Sequence, residues 1–236
     1  MNIDGPNPVR VAGNVDGNTW DSTNHTWSPD SRWVLFNDQR LIVSVCNEGD
    51  VCKIYKAKAD GTSIVTISGE DVDEYSAFWS PDGNWIAYST IDCGGDFTIC
   101  TLSIMRPDGT DKRVLVQKTW DDTEWETVSA HKSWSPDSKW IIFNKQSEAA
   151  NQKSIFEVNI ETKEQIRLTK DYWDGRAFWS PDNTRILFQD DLGEVTIPEC
   201  TSRDNGDYGK DLLVLNLNPV YFPLFRPIPR AKPMPR

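Results

Sequence analysis

Short apolar runs recur along the chain, and each one follows the same polar turn. The tetrad Trp-Ser-Pro-Asp begins at Trp27, Trp79, Trp134 and Trp179, at successive intervals of 52, 55 and 45 residues. Three residues after each Asp an apolar run begins, at residues 33–36, 85–88 and 140–143; the last copy, residues 185–188, has Arg185 in place of the Trp. Self-similarity at such a period predicts tandem copies of one supersecondary unit.

Each repeat predicts four short antiparallel strands. Proline presets φ at the second turn position, and Ser and Asp side chains bond nearby backbone groups, so the tetrad predicts a hairpin turn. A third strand is predicted over residues 54–55, 102–104, 155–158 and 213–215. A fourth is predicted over residues 63–67 and 165–169. Four strands per repeat are typical of a propeller blade.

The full pattern is aromatic-Ser-Pro-Asp-Gly-x-x-Ile-x-Phe, then Ile-Tyr, Asp-Gly and Leu-Thr. It resembles the TolB-like, WD40-like PD40 repeat family. The resemblance implies an all-β fold, a β-propeller of about four four-stranded antiparallel blades, which is either a closed small ring or a fragment of a larger propeller. Residues 1–218 would form this domain. The blade repeats would span about 24–68, 76–118, 131–170 and 176–218, with residues 1–13 as an outer strand.

The last segment, residues 219–236, departs from the repeat. It contains six prolines and four basic residues, which predicts an extended, partly polyproline-like, basic tail. Two interpretations are open: a linker, or a docking segment for an acidic or aromatic groove.

The acidic balance of the chain narrows the choice of partner. The formal net charge is −11, which disfavours nucleic acid because phosphate is neutralised by Lys and Arg. No apolar run reaches the roughly 18 residues that a membrane-spanning helix requires. Basic proteins and cations are the partners that this electrostatic field attracts. We therefore expect a protein partner of basic character, no nucleic acid and no membrane insertion.

Four of the five cysteines pair naturally within the repeat. Cys46 with Cys52, and Cys93 with Cys100, would lie across the hairpin before the third strand, where opposed residues suit a disulfide. These disulfides would imply a periplasmic or extracellular location. The alternative is a metal site, but the two pairs lie in different repeats and would not converge. Cys200 has no partner in the repeat.

Four tryptophans lie outside the repeat framework, and all are predicted in the loops that lead into each blade: Trp20, Trp120, Trp125 and Trp173. Each is followed by an acidic residue, and the remaining loop would carry Asp73, Glu74 and Tyr75. In a propeller these loops share one face. The predicted partner-binding residues are Trp20, Asp21, Asp73, Tyr75, Trp125, Glu126, Trp173 and Asp174.

This face combines two kinds of group that favour binding. Trp and Tyr are preferred interface anchors, and clustered carboxylates attract Lys, Arg or a cation such as calcium. The alternative is structural: the rings pack on neighbouring blades and the acids are merely solvated.

Catalysis is not expected. The only histidines are His25 and His131, with no third partner for a metal triad, and no Gly-x-Ser-x-Gly elbow occurs. We therefore expect no catalytic residue, no metal site and no cofactor. Two alternatives stay open: a carbohydrate-binding propeller whose Trp rings stack on sugars, or the propeller domain of a larger prolyl-oligopeptidase-like enzyme.

Overall fold

A computed structural model describes residues 9, 11, 21–39, 53–69, 73–92, 98–120, 128–129, 134–147, 152–169, 174–190 and 211–217. The regular elements in these ranges are all β-strands in antiparallel sheets, which confirms the all-β prediction. Among these residues there is no helix of the length and hydropathy needed to cross a membrane. The chain divides into two compact units, residues 1–122 and 123–236.

The first unit holds two four-stranded sheets, in which each strand pairs with the one before it. Blade 1 consists of β1 (Asp21–Trp27), β2 (Trp33–Gln39), β3 (Lys53–Lys58) and β4 (Ile64–Thr66). Blade 2 consists of β5 (Asp73–Trp79), β6 (Ile86–Asp92), β7 (Thr98–Met105) and β8 (Arg113–Trp120).

The second unit repeats this order. Blade 3 consists of β9 (Val128–Ser129), β10 (Trp140–Ser147), β11 (Gln152–Asn159) and β12 (Gln165–Arg167). Blade 4 has three strands in the described ranges: β13 (Asp174–Trp179), β14 (Arg185–Asp190) and β15 (Asp211–Asn216). Of residues 1–13 only Val9 and Val11 are described, so the outer strand there stays a prediction, and residues 219–236 lie outside the described ranges.

The four tetrads form the same hairpin corner, as the repeat predicted. Each tetrad Trp pairs with the second residue of the following apolar run: Trp27 with Val34, Trp79 with Ile86, Trp134 with Ile141 and Trp179 with Ile186. In every copy the serine hydroxyl donates to the Asp carboxylate, at 2.5–2.6 Å. The serine Oγ also accepts the backbone N–H of the first residue of residues 33–36, 85–88, 140–143 and 185–188, at 2.9–3.0 Å.

The residue that follows the Asp of each tetrad has a left-handed backbone. Its φ is 60° at Ser31, 73° at Gly83, 60° at Ser138 and 62° at Asn183. Its N–H donates to the carbonyl of the tetrad serine, at 2.8–3.0 Å. A turn followed by a left-handed residue makes a tight hairpin with a local bulge, so the corner tolerates a strained backbone in three of its four copies.

Within each unit the two blades pack through one apolar cluster. The cluster of the first unit joins Leu35, Ile54 and Ile67 of blade 1 to Ala77, Ile86, Tyr88 and Met105 of blade 2, with Trp79 packed against it. The second unit joins Ile142 and Ile155 of blade 3 to Ala177, Ile186 and Phe188 of blade 4, with Leu168, Trp179, Leu215 and Leu217 against it. We call these the inter-blade clusters; the first-strand Trp of the later blade contributes to each.

The register at Cys100 differs from the predicted one. Cys100 pairs with Ile91 across β6 and β7, so Cys93 is not its opposed residue, and Cys100 is a buried free thiol. Burial raises the pKa of this thiol to about 11. The residue opposite Cys100 is therefore not the one that was expected, and the Cys93–Cys100 disulfide stays a prediction. Cys46, Cys52 and Cys93 lie outside the described residues.

Candidate functional site

The predicted binding residues divide into two groups. Asp21, Asp73 and Asp174 are each the first residue of the first strand of a blade, β1, β5 and β13, and Tyr75 lies inside β5. They were expected in loops, so the strands begin earlier than predicted. Trp20, Trp125, Glu126 and Trp173 lie outside the described residues. Trp120, also expected in a loop, is the last residue of β8.

A bulge follows the acidic start of all three of these strands. The register shifts between Thr23 and Thr26 in β1, between Tyr75 and Phe78 in β5, and between Asp174 and Ala177 in β13. In β5 the bulge contains Ser76, whose φ is 53°. Bulges bend a strand and redirect its side chains, and they are common at functional edges. Sequence analysis did not anticipate these bulges.

Glu74, which sequence analysis placed among the acidic loop residues, is a buried structural residue. Its side chain is only 3% exposed and forms an ion pair with Lys112, with 2.7 Å between Nζ and Oε1. The same oxygen accepts the Gly69 N–H at 3.3 Å, and the Glu74 carbonyl accepts the Asn37 amide at 3.1 Å. Glu74 thus ties β5 to blade 1, and its charge is neutralised inside the fold.

The charge of Glu74 affects the neighbouring Tyr88. The pKa of Tyr88 is raised above its ordinary value, mainly by burial and also by the Glu74 charge, and a hydrogen bond with Ser103 opposes part of this rise. The Lys112 ammonium lies 5.8 Å from the centre of the Tyr88 ring. Lys112 is 38 residues from Glu74 in the chain, so no local sequence pattern could reveal this pairing.

Trp33, the first residue of β2, and Trp85, the residue before β6, contact cationic side chains within their own blades. The Trp33 ring centre lies 4.9 Å from the Lys56 ammonium. The Trp85 ring centre lies 3.7 Å from the Arg106 guanidinium carbon and 4.6 Å from that of Arg113. Such cation–π contacts stabilise the blade, which supports the framework role assigned to these Trp residues.

The described ranges hold no cluster of three or more His, Cys, Asp or Glu residues that could bind a metal ion. Asn37 Oδ1 and Glu74 Oε2 are among the buried acceptor atoms that have no protein hydrogen-bond partner in the described ranges.

Comparison with known proteins adds information at the level of structure. No protein-family model matches the sequence, and no curated protein matches it by sequence either. Among solved structures, a protein from Agrobacterium tumefaciens assigned as TolB superposes with a TM-score of 0.56 at 20% identity, over 83% of this chain. TolB from Acinetobacter baumannii gives 0.55 at 16% identity, over 85% of this chain.

The chain has a TolB-like β-propeller fold. An oligogalacturonate lyase in complex with manganese also superposes on this TolB-like propeller, with a TM-score of 0.54 at 15% identity over 86% of the chain. Identities this low establish the fold and not the activity. The chain spans 62%, 42% and 49% of the lengths of these three proteins.

Proposed function

We propose that this chain is a non-catalytic, extracytoplasmic propeller module that binds a basic protein partner. The binding surface would comprise the acidic first residues of the first strands and the Trp-containing loops before them. One observation carries the proposal: the first strands of blades 1, 2 and 4 all begin with aspartate, at Asp21, Asp73 and Asp174. The net charge of −11 gives these positions a favourable background for cations.

Repetition of the charge supports a binding role over simple solvation. Carboxylates at the same position of several blades raise the local potential and steer a cationic partner. The adjacent Trp20 and Trp173 would add aromatic anchors, which dominate the binding energy of protein interfaces. The aspartates and tryptophans of this surface lie outside the Ser-Pro-Asp corners, so the hairpin turns do not require them.

Charge reversal tests this proposal. Asp21→Lys and Asp174→Lys should each reduce the capture of basic proteins from an extracytoplasmic extract, and the double variant should abolish it. Capture by the wild type should fall steeply as salt rises from about 50 to 300 mM, because exposed charges are screened. Glu161→Lys, in the exposed turn between β11 and β12, changes the net charge equally and should leave capture intact. Equal capture by the wild type and all four variants would refute the acidic surface.

The location outside the cytoplasm rests on the predicted Cys46–Cys52 disulfide. Mass spectrometry of the unreduced protein should show a peptide pair that is two hydrogens lighter than the reduced pair, as disulfide formation requires. Two free thiols in protein purified from its native compartment would remove this part of the proposal and leave the acidic surface untouched.

Carbohydrate binding is the second candidate, favoured by the similarity to an oligogalacturonate lyase. Exposed Trp rings stack on sugar faces, so the same loops would serve. Binding to an oligosaccharide array that is lost in Trp173→Ala, but kept in Asp174→Lys, would favour this candidate over a basic protein. The prolyl-oligopeptidase-like interpretation remains a prediction about a larger protein.

A further inference from the structure

One position of the third strand faces the next blade and carries a different ionisable residue in blades 1 and 3. Lys56 is paired with Leu35, and Glu157 is paired with Ile142, the third residues of their apolar runs. Leu35 and Ile142 belong to the inter-blade clusters, and directly paired residues project from the same side of a sheet. Lys56 and Glu157 therefore lie at equivalent positions, each on the side of its blade that packs against the next.

Lys56 uses this position to join blade 1 to blade 2. Its ammonium donates to the carbonyl of Pro107, with 2.5 Å between Nζ and O, and Pro107 lies in the turn that follows β7. In the same turn, a Cβ added at Gly109 would lie 2.8 Å from the Ile67 carbonyl oxygen of blade 1, so the turn packs closely against that blade. The lysine thus ties the end of a third strand to the preceding blade.

Leu217 occupies in blade 4 the place of Pro107 in blade 2. The residue opposite the second position of the apolar run is Met105 in blade 2 and Leu215 in blade 4, and Pro107 and Leu217 each follow two residues later. Leu217 packs against the cluster that joins blades 3 and 4. Its N–H donates to the Thr184 carbonyl at 2.7 Å and so holds the end of β15. The Leu217 carbonyl is therefore the acceptor equivalent to that of Pro107.

Glu157 can serve this acceptor only as a neutral acid. A carboxylate has no donor, whereas a protonated carboxyl has one O–H. Glu157 is 4% exposed, and burial, together with the Glu164 charge, raises the pKa of its carboxyl to about 7. The O–H is therefore present in the folded chain at lower pH, and it is lost as pH rises through this value.

The charged groups of blade 3 favour the neutral form of Glu157. The negative charge of Glu164 acts on this carboxyl and disfavours its ionisation. The cations Lys145 and Arg167 instead lie over the ring of Phe156. That ring faces the other side of the sheet, because successive strand residues alternate.

The charged residues of the described strands and corner of blade 4 do not offset this effect. Arg185 and Asp182 form an ion pair at the corner between β13 and β14, at 3.5 Å. Arg176 belongs to the bulge of β13. The other three form one row at the end of the strands away from Leu217, about 20 Å along β15: Asp174, Asp190 and Asp211. Among the described side chains, no cation lowers the pKa of Glu157.

We propose that Glu157 is a pH-sensitive latch between blades 3 and 4. In its neutral form it donates to the Leu217 carbonyl, as Lys56 donates to Pro107 between blades 1 and 2. Ionisation removes the donor and places a negative charge beside the carbonyl oxygen, so the end of β15 is released. The latch uses none of the acidic strand starts of the proposed function, so either proposal can fail without the other.

Amide exchange at Leu217 provides the test, because this N–H holds the end of β15. Its protection, corrected for the intrinsic pH dependence of exchange, should fall about three- to tenfold between about pH 5.5 and 8.5, as the loss of one hydrogen bond requires. The change should share its midpoint with the Glu157 carboxyl carbon signal in an NMR titration. The Ala59 amide donates to Arg32 at the equivalent corner of blade 1, at 2.9 Å, and should keep its protection throughout.

Three substitutions at Glu157 separate hydrogen-bond donation from the cost of a buried charge. Glu157→Gln keeps an N–H donor and should keep Leu217 protected at every pH, and Glu157→Lys, which reproduces the chemistry of blade 1, should do the same. Glu157→Leu removes charge and donor together and should leave Leu217 poorly protected even at low pH. Equal protection in Glu157→Gln and Glu157→Leu would overturn the latch, as would wild-type protection that does not change with pH. Circular dichroism checks folding, and the comparison of Glu157→Gln with Glu157→Leu decides the matter if Glu157→Lys unfolds.

Discussion

The Ser-Pro-Asp corner shows how single residues set the strand connections. Its serine Oγ accepts a backbone N–H and donates to the aspartate carboxylate at the same time. In blade 4, Ser180 and Thr184 both donate to Asp182 and so lower the pKa of that carboxyl. Both donors stabilise the ionised carboxylate, and the serine-to-aspartate bond recurs in all four copies of the corner.

The left-handed residue of the corner provides the first prediction. Ser31 has a φ of 60°, whereas blade 2 has Gly83 there. A side chain in this conformation costs about 1–2 kcal/mol, partly offset by the greater flexibility of glycine when unfolded. Ser31→Gly should therefore raise the free energy of unfolding by about 0.5–1 kcal/mol, measured by urea denaturation.

Gly83→Ser is the matched reverse change. A Cβ at Gly83 would meet only Pro29 side-chain atoms, at 3.8 Å, so its cost is conformational and should be about 1 kcal/mol. Changes of the same sign in the two variants would contradict the backbone explanation.

Glu157 provides a prediction about pH. It lies in β11 between Ile142 and Ile166 and is 4% exposed. Burial, together with the negative charge of Glu164, raises its pKa to about 7 from an ordinary value of 4.5. As pH rises, the unfolded chain therefore loses the Glu157 proton at a lower pH than the folded chain does. The folded state should lose stability between about pH 4.5 and 7, and remain less stable above that range.

Glu157→Gln should remove this loss, because the amide stays neutral. Its free energy of unfolding, relative to wild type, should rise from near zero at about pH 4.5 to on the order of 2–3 kcal/mol at pH 8–9. Parallel urea titrations across this range measure the difference. Glu161→Gln, at an exposed site, should show no such pH dependence. A constant difference for Glu157→Gln would mean that the pKa of Glu157 is the same in the folded and unfolded chains.

At the level of elements, the Glu74–Lys112 pair joins the start of β5 to the segment before β8. Lys112→Met would leave a nearly fully buried carboxylate without its cation, which is costly. The lysine is 35% exposed, so water would compensate in part. We expect a loss of about 1–3 kcal/mol in unfolding free energy, with Lys139→Met, at an exposed turn, as the control.

Restoring neutrality distinguishes charge from packing. Glu74→Gln added to Lys112→Met should recover part of the loss, since no buried charge is then unpaired. If the double variant is less stable than Lys112→Met by the full cost of a second independent lesion, the pair contributes through shape and not through charge.

Local chemistry explains which elements could be predicted from the sequence. The corners at Trp27, Trp79, Trp134 and Trp179 were predictable because turn formation uses adjacent residues. The strand starts at Asp21, Asp73 and Asp174, their bulges and the register opposite Cys100 depend on partners across the sheet. The Glu74–Lys112 pair joins residues distant in the chain. Residues of the candidate site therefore fall where sequence reasoning is weakest.

At the level of the whole molecule, the blades behave as modules whose stability depends on their neighbours. In repeat architectures each unit buries its apolar face against the next, so stability is a sum of unit and interface contributions. Blades 3 and 4 share one cluster that includes Ile142 and Ile186. A cavity in this cluster should therefore weaken both blades and not only the one that carries the substitution.

Ile142→Ala tests this coupling. Ile142 is 1% exposed, and truncation of such a residue costs about 2–5 kcal/mol. Hydrogen exchange should accelerate in β10 and β11 of blade 3 and equally in β13 and β14 of blade 4, because the lost contacts are shared. Val65→Ala, on the exposed strand β4, should leave exchange in both blades unchanged. Acceleration confined to blade 3 would mean that each blade is stable by itself.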